Sequence, residues 1–161
     1  MARNTISEIR QRLVEDRLGT LALIKELSTD EAGRRPRPDA WSIKDHVSHL
    51  AAVEEAVIGF ARRMLVEERP VADTYDVDAW NARQQALRAS LSWEETLASL
   101  YRAREELLAL LDQVTEQALN RTGEHPRWGT PTTLASVLRV PYRHERGHRD
   151  EIKALRPPTS A

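Results

Sequence analysis

The sequence predicts an all-α fold: a four-helix bundle with one short extra helix and up-down-down-up connectivity. Three observations carry this. Long segments repeat apolar residues at intervals of three and four. Ser-x-x-acid boxes and prolines mark where those segments begin and end. No run of β-branched residues alternates over several positions, so strand signals are weak. Residues 1–156 are read as one bundle domain, and 157–161 as a flexible C-terminal tail.

The first helix is expected over about residues 4 to 28, with Ile6, Ile9, Leu13, Leu21, Ile24 and Leu27 on its apolar stripe. Gly19 weakens its middle. The segment "TDEAGRRPRPDA" reads as a loop. A second helix starts at Ser42, with Asp45 three residues on in a capping box. Its stripe is His46, Leu50, Val53, Val57, Phe60 and Met64, spaced 4-3-4-3-4. Pro70 prevents its continuation. "YDVDAWNARQQALRAS" reads as the shorter helix. Ser92 and Glu95 cap the next one, whose stripe is Leu97, Leu100, Arg104, Leu107, Leu111 and Val114. "NRTGEHPRWGT" reads as a loop. Thr130 and Pro131 are then expected as N-cap and first residue of the last helix. That helix carries Leu134, Val137 and Leu138 and runs to about Leu155. Pro141 predicts a kink or short break just before the histidines.

Composition narrows the chemistry. The net charge of −1 gives no bulk pull toward nucleic acid or anionic membrane, so neither is expected as a partner. No apolar run approaches the roughly 20 residues a spanning helix needs. The N-terminus lacks an apolar signal region, so the cytoplasm is the expected compartment. The chain has no cysteine, which excludes disulfides, thiolate ligands and a Cys nucleophile. A metal site must therefore use His and carboxylates.

The stretch "YRHERGH" contains H-E-x-x-H, the zinc-protease pattern of two His ligands and a Glu base. The rest of a protease is missing. Only 13 residues follow His148, and none is the further His that metzincins need. Glu151 lies on the same helix as the pair, and no substrate-binding strand is evident. A third ligand must come from upstream.

His144 and His148 are four apart and share a helix face. At about 100° per residue, that face also carries Val137 and Leu155. Two imidazoles on an apolar face are costly unless something satisfies both, and a metal ion does. His46 lies at the centre of the second helix's stripe, and His49 flanks it by about 60°. Geometry alone slightly favours His46, the more central of the two, as the residue that completes the site, with His49 as the alternative. Three His with an open position suit zinc, nickel or iron. His46, Arg143 and Glu145 are candidate catalytic helpers, although Glu145 also fits a solvent-facing position. Arg143 and Arg146 flank the pair and can take a carboxylate substrate bidentately, although for Arg146 a solvated helix face is the preferred reading. Glu54 is either an outer partner of the site or an outward ion pair. His125, beside Pro126, reads as a solvated loop residue. Trp41 is expected to staple the loop onto the second helix. Trp80 and Asn81 close either the pocket or a dimer interface.

Two stretches, "WSIKDHVSHLAAVEE" and "HERGHRDEI", resemble the DinB-like superfamily of helical-bundle metalloproteins. The middle segment with Trp80-Asn81 and "SWEE" is also similar, so the resemblance spans nearly the whole chain. It implies His49, which directly precedes Leu50, as the third ligand beside His144 and His148. It also implies a divalent ion (Zn, Ni or Fe), a homodimer, and a small-molecule substrate. Members related to mycothiol-dependent maleylpyruvate isomerase imply thiol chemistry. The expected function is then a metal-dependent enzyme that activates a low-molecular-weight thiol of the mycothiol or bacillithiol type for S-transfer or isomerisation. Two alternatives stand beside it: a hydrolase using metal-bound hydroxide, and a non-enzymatic metal- or ligand-binding stress-response dimer.

Overall fold

The computed structural model describes residues 5–158. The elements are helices α1 (Ile6–Ile24), α2 (Thr29–Gly33), α3 (Ile43–Val66), α4 (Val77–Arg88) and α5 (Trp93–Leu111). Strands β1 (Thr122–His125) and β2 (Gly129–Thr133) follow, then α6 (Leu134–Leu138) and α7 (Val140–Leu155). Helix starts are set by caps: Thr5, Ser28, Ser42 and Ser92 each form a reciprocal box with the acid three residues on.

The four long helices α1, α3, α5 and α7 bury two apolar clusters, one toward each end of the bundle. One holds Leu13, Val57, Leu107 and Tyr142, the other Ile24, Leu50, Leu100 and Ile152. Between them each helix inserts one charge: Arg17, Glu54, Arg104 and Glu145, none more than 5% exposed. From the first cluster through this layer to the second, residue numbers rise along α1 and α7 and fall along α3 and α5. That ordering is the up-down-down-up topology.

The charged layer is closed. Arg17 donates to Glu145 (2.8 Å) and Glu54 (2.7 Å), and Arg104 donates to Glu54 (2.5 and 3.2 Å) and Glu145 (2.8 Å). The guanidiniums also reach backbone carbonyls, Arg17 at Leu100 and Arg104 at Leu13. Burial pushes the Glu145 carboxyl up, but Arg17 and Arg104 outweigh it and hold it below its ordinary range.

Several expectations are corrected. "TDEAG" is a short helix rather than loop, because Ser28 and Glu31 cap it. "NRTGEHPRWGT" contributes to an antiparallel hairpin, pairing Thr122 with Thr133 and Gly123 with Thr132. Thr130 and Pro131 lie inside β2, joined by a cis peptide, and the helix cap is Thr133. The break before the histidines falls at Arg139, between α6 and α7. Pro141 then sits in the first turn of α7, where no helical partner for its missing N–H is needed. The α1 start at residue 4, and the tail from 159 on, lie outside the described residues. No described helix is long and apolar enough to cross a membrane.

Candidate metal centre

The Ser42 box fixes the first turn of α3: Asp45 N–H donates to Ser42 Oγ (3.1 Å), and Ser42 N–H donates to Asp45 Oδ2 (2.9 Å). His46 and His49 follow within the next turn. α3 and α7 run antiparallel, so these meet His148 and His144 respectively.

His144 Nε2 lies 3.2 Å from His49 Nε2 and 3.1 Å from His148 Nε2. A neutral imidazole nitrogen carries either a proton or a lone pair, so three converging nitrogens cannot all satisfy one another. A cation accepts a lone pair from each. Tetrahedral ligands with bonds of about 2.0–2.1 Å stand roughly 3.3 Å apart, close to the spacing seen. Burial, then the neighbouring imidazoles, push His49 down to about 3. Burial and His148 push His144 down to about 4. Both rings are therefore neutral near pH 7, as ligands must be. The donor set fits a divalent ion.

His46 stands on the other side of the His148 ring. Its Nδ1 meets His148 Nδ1 at 3.0 Å, away from the Nε2 cluster. Glu151 Oε2 lies 2.6 Å from His148 Nδ1 and 3.5 Å from His46 Nδ1. A carboxylate on the far nitrogen of a candidate ligand holds that ring's tautomer and aims its Nε2 inward. Glu151 is local to the pair on α7, which makes it a poor third ligand but lets it hold His148. Trp41 packs against this group, its ring centroid 5.2 Å from His46 and 5.0 Å from His49. It therefore walls the histidines as well as leading into the helix cap.

His49 and His144 form the floor of a cleft of about 620 Å³. Phe60, Tyr75, Trp80 and Trp128 supply aromatic walls, with Asn81 and Arg127 among the polar groups. Trp80 and Asn81 thus face the cleft.

The candidate helpers fare differently. Glu145 is neither solvent-facing nor available as a base, because its carboxylate is locked between Arg17 and Arg104. The glutamate of H-E-x-x-H belongs to the bundle core. Glu54 likewise sits in that core. Arg143 is exposed and does not line the cleft. Arg146 is committed to Asp16 at 2.7 Å. His125 is buried and not solvated: it stacks on Trp128 with centroids 3.7 Å apart, and its edge meets Phe60. Sequence reasoning had no signal for His125 or Arg127 as cleft residues, because the hairpin that presents them lacks alternation.

A family model described as the DinB superfamily matches residues 12–152. A protein of Oceanobacillus iheyensis named "Putative metal-dependent hydrolase OB0413" is 23% identical over 154 residues, covering 92% of this chain and 86% of its own. YfiT from Bacillus subtilis, described as "a probable metal-dependent hydrolase with an unusual four-helix bundle topology", superposes with a TM-score of 0.77. It is 22% identical, over 96% of this chain and 87% of its own. The colibactin self-resistance protein ClbS, described in complex with double-stranded DNA, superposes with a TM-score of 0.73 at 13% identity over 100% of both chains. That neighbour overturns the expectation of no nucleic-acid partner. Net charge reports a bulk average and does not describe how charge is distributed over the surface.

Proposed function

The chain belongs to the DinB superfamily, and from that premise we propose a divalent-metal-dependent hydrolase of small molecules, with His49, His144 and His148 as the metal ligands. One observation carries the reading: imidazole nitrogens of His49, His144 and His148 converge beside a cleft of about 620 Å³, within the usual range for small-molecule sites. The names of the O. iheyensis and B. subtilis relatives support hydrolysis.

His49, His144 and His148 would hold a divalent ion, which would supply Lewis acidity toward a water or thiol and lower its pKa. The chain's own residues do the rest. His49 and His144 present their nitrogens at the cleft floor, and Glu151 orients His148 from behind. Phe60, Tyr75, Trp80 and Trp128 exclude water from an apolar substrate. Glu145 takes no proton from a substrate, since both its oxygens are engaged by arginine. The protease sense of H-E-x-x-H is thereby excluded.

The second reading replaces water by a low-molecular-weight thiol, as the family resemblance implies. The cleft volume favours it to this extent: the space exceeds what a water and a small electrophile need. Purified protein loaded with zinc, nickel or iron and then dialysed is expected to retain about one equivalent per chain at a site of this type. His49→Ala and His144→Ala lose that retention, while His46→Ala keeps it. Loss in His46→Ala with retention in His49→Ala would sink the ligand assignment. Turnover of an ester and amide panel without added thiol supports hydrolysis, and turnover only with mycothiol or bacillithiol supports transfer.

A further inference from the structure

The turn of the hairpin, Pro126–Arg127–Trp128, is held by the side chain that precedes it. His125 Nδ1 accepts the backbone N–H of Arg127 (3.1 Å) and of Trp128 (3.3 Å). The His125 ring stacks on Trp128, and Gly129 supplies the positive φ of 131° that closes the loop. A second tie comes from outside the hairpin: Ala72 N–H donates to the Glu124 carbonyl (2.8 Å), and Glu124 N–H donates to the Pro70 carbonyl (2.9 Å). The turn is therefore preorganised against the cleft.

This arrangement has two chemical results. An Nδ1 that accepts two N–H groups carries no proton, so the neutral His125 ring carries its proton on Nε2. His125 is a fixed hydrogen-bond donor and not a base. Arg127 lines the same cleft, and its guanidinium makes no ion pair or hydrogen bond among the described residues. The other cleft arginine, Arg63, is committed to Glu67 at 2.7 and 2.9 Å. The one carboxylate in the lining, Asp73, acts on Arg63.

We infer that Arg127 and His125 form an anion subsite that selects, for this cleft, aromatic or apolar small molecules bearing a carboxylate. The guanidinium receives the carboxylate, the His125 Nε2–H supplies a second donor, and Trp128, Phe60 and Tyr75 hold the apolar body. The inference deepens the hydrolase reading and rests on it for the cleft being the substrate site.

The test uses 2-naphthoate and its uncharged counterpart 2-naphthamide as probes. Each is titrated into the full chain by tryptophan fluorescence, zinc-loaded and after chelation. Naphthoate is expected to bind at least tenfold more tightly than the amide in both states. Arg127→Gln is expected to weaken naphthoate by ten- to a hundredfold, the range for losing a charged hydrogen bond, and to leave the amide unchanged. Arg127→Lys, which keeps the charge but not the fork, falls between. His125→Phe keeps the stacking but removes both the Nε2–H and the Nδ1 that holds the turn, and is expected to weaken naphthoate by both routes. Equal binding of acid and amide overturns the subsite. A carboxylate preference that appears only with zinc and is untouched by Arg127→Gln also overturns it, while leaving the metal reading intact. A preference that persists in chelated protein supports the subsite even where metal retention fails.

Discussion

The charged layer in the middle of the bundle makes a sharp prediction about energetics. Arg104→Met removes three of the five arginine–carboxylate hydrogen bonds in the layer and leaves two buried carboxylates facing one guanidinium. Breaking a buried pair in this way costs about 3–5 kcal/mol, because the remaining charge has neither water nor partner. Four single substitutions of that kind would sum to roughly 12–20 kcal/mol, more than most domains possess in total. They therefore cannot be additive. Arg104→Met/Glu145→Leu leaves Arg17 and Glu54 as a neutral pair and is expected to cost less than either single change. Arg17→Leu/Glu54→Leu/Arg104→Met/Glu145→Leu is expected to be near neutral or stabilising by about 1–4 kcal/mol, as apolar replacement of buried ion clusters often is. Urea unfolding followed by helical circular dichroism measures each variant. If Arg104→Met costs no more than an exposed pair, about 0.2–1 kcal/mol, or if the double change equals the sum of its singles, the layer is not a closed charge-balanced unit.

Other outcomes follow from single residues. Glu151→Gln is expected to lower metal affinity by about 10- to 100-fold through His148, as outer partners of ligating histidines do. Competition with a chromogenic chelator reads this, and unchanged affinity would show that the contact is incidental. Leu107→Ala, at 0% exposure in the first apolar cluster, is expected to cost about 2–5 kcal/mol in urea unfolding. Ser42→Ala is expected to cost about 0.5–2 kcal/mol by loss of the α3 cap. A Ser42→Ala loss below a few tenths would show that water replaces the cap freely.

The helices were legible in the sequence because their signals are local: a cap, a stripe of threes and fours, and a proline at the end. Even α2 carried its signal in Ser28 and Glu31, hidden only by the Gly and Pro around it. The hairpin was not legible. Its short strands lack alternation, and the pairing of Thr122 with Thr133 is visible only across the chain. The helical wheel correctly brought His144 and His148 to one inward face. It could not foresee Glu145, whose burial depends on Arg17 and Arg104 arriving from two other helices. The one hint was Arg104 itself, a charge standing in an otherwise apolar stripe. Arg143 is near the histidines only in sequence, whereas Arg127 reaches the cleft from a hairpin turn.

The parallel run of α3 and α5 has a consequence for how such a protein can change. Two neighbouring helices pointing the same way must be joined by a segment that travels back along the bundle, and residues 67–92 make that journey. α4 lies on this return path, contributes Trp80 and Asn81 to the cleft, and has no buried residue of its own. It is attached by polar ties such as Gln85 to the Asp45 carbonyl (3.0 Å) and Arg88 to Glu55. Substitutions on α4 are therefore expected to reshape the cleft wall at little cost to the buried core. The topology thus gives the cleft one wall that is not part of the buried core, beside others, such as Phe60, that are.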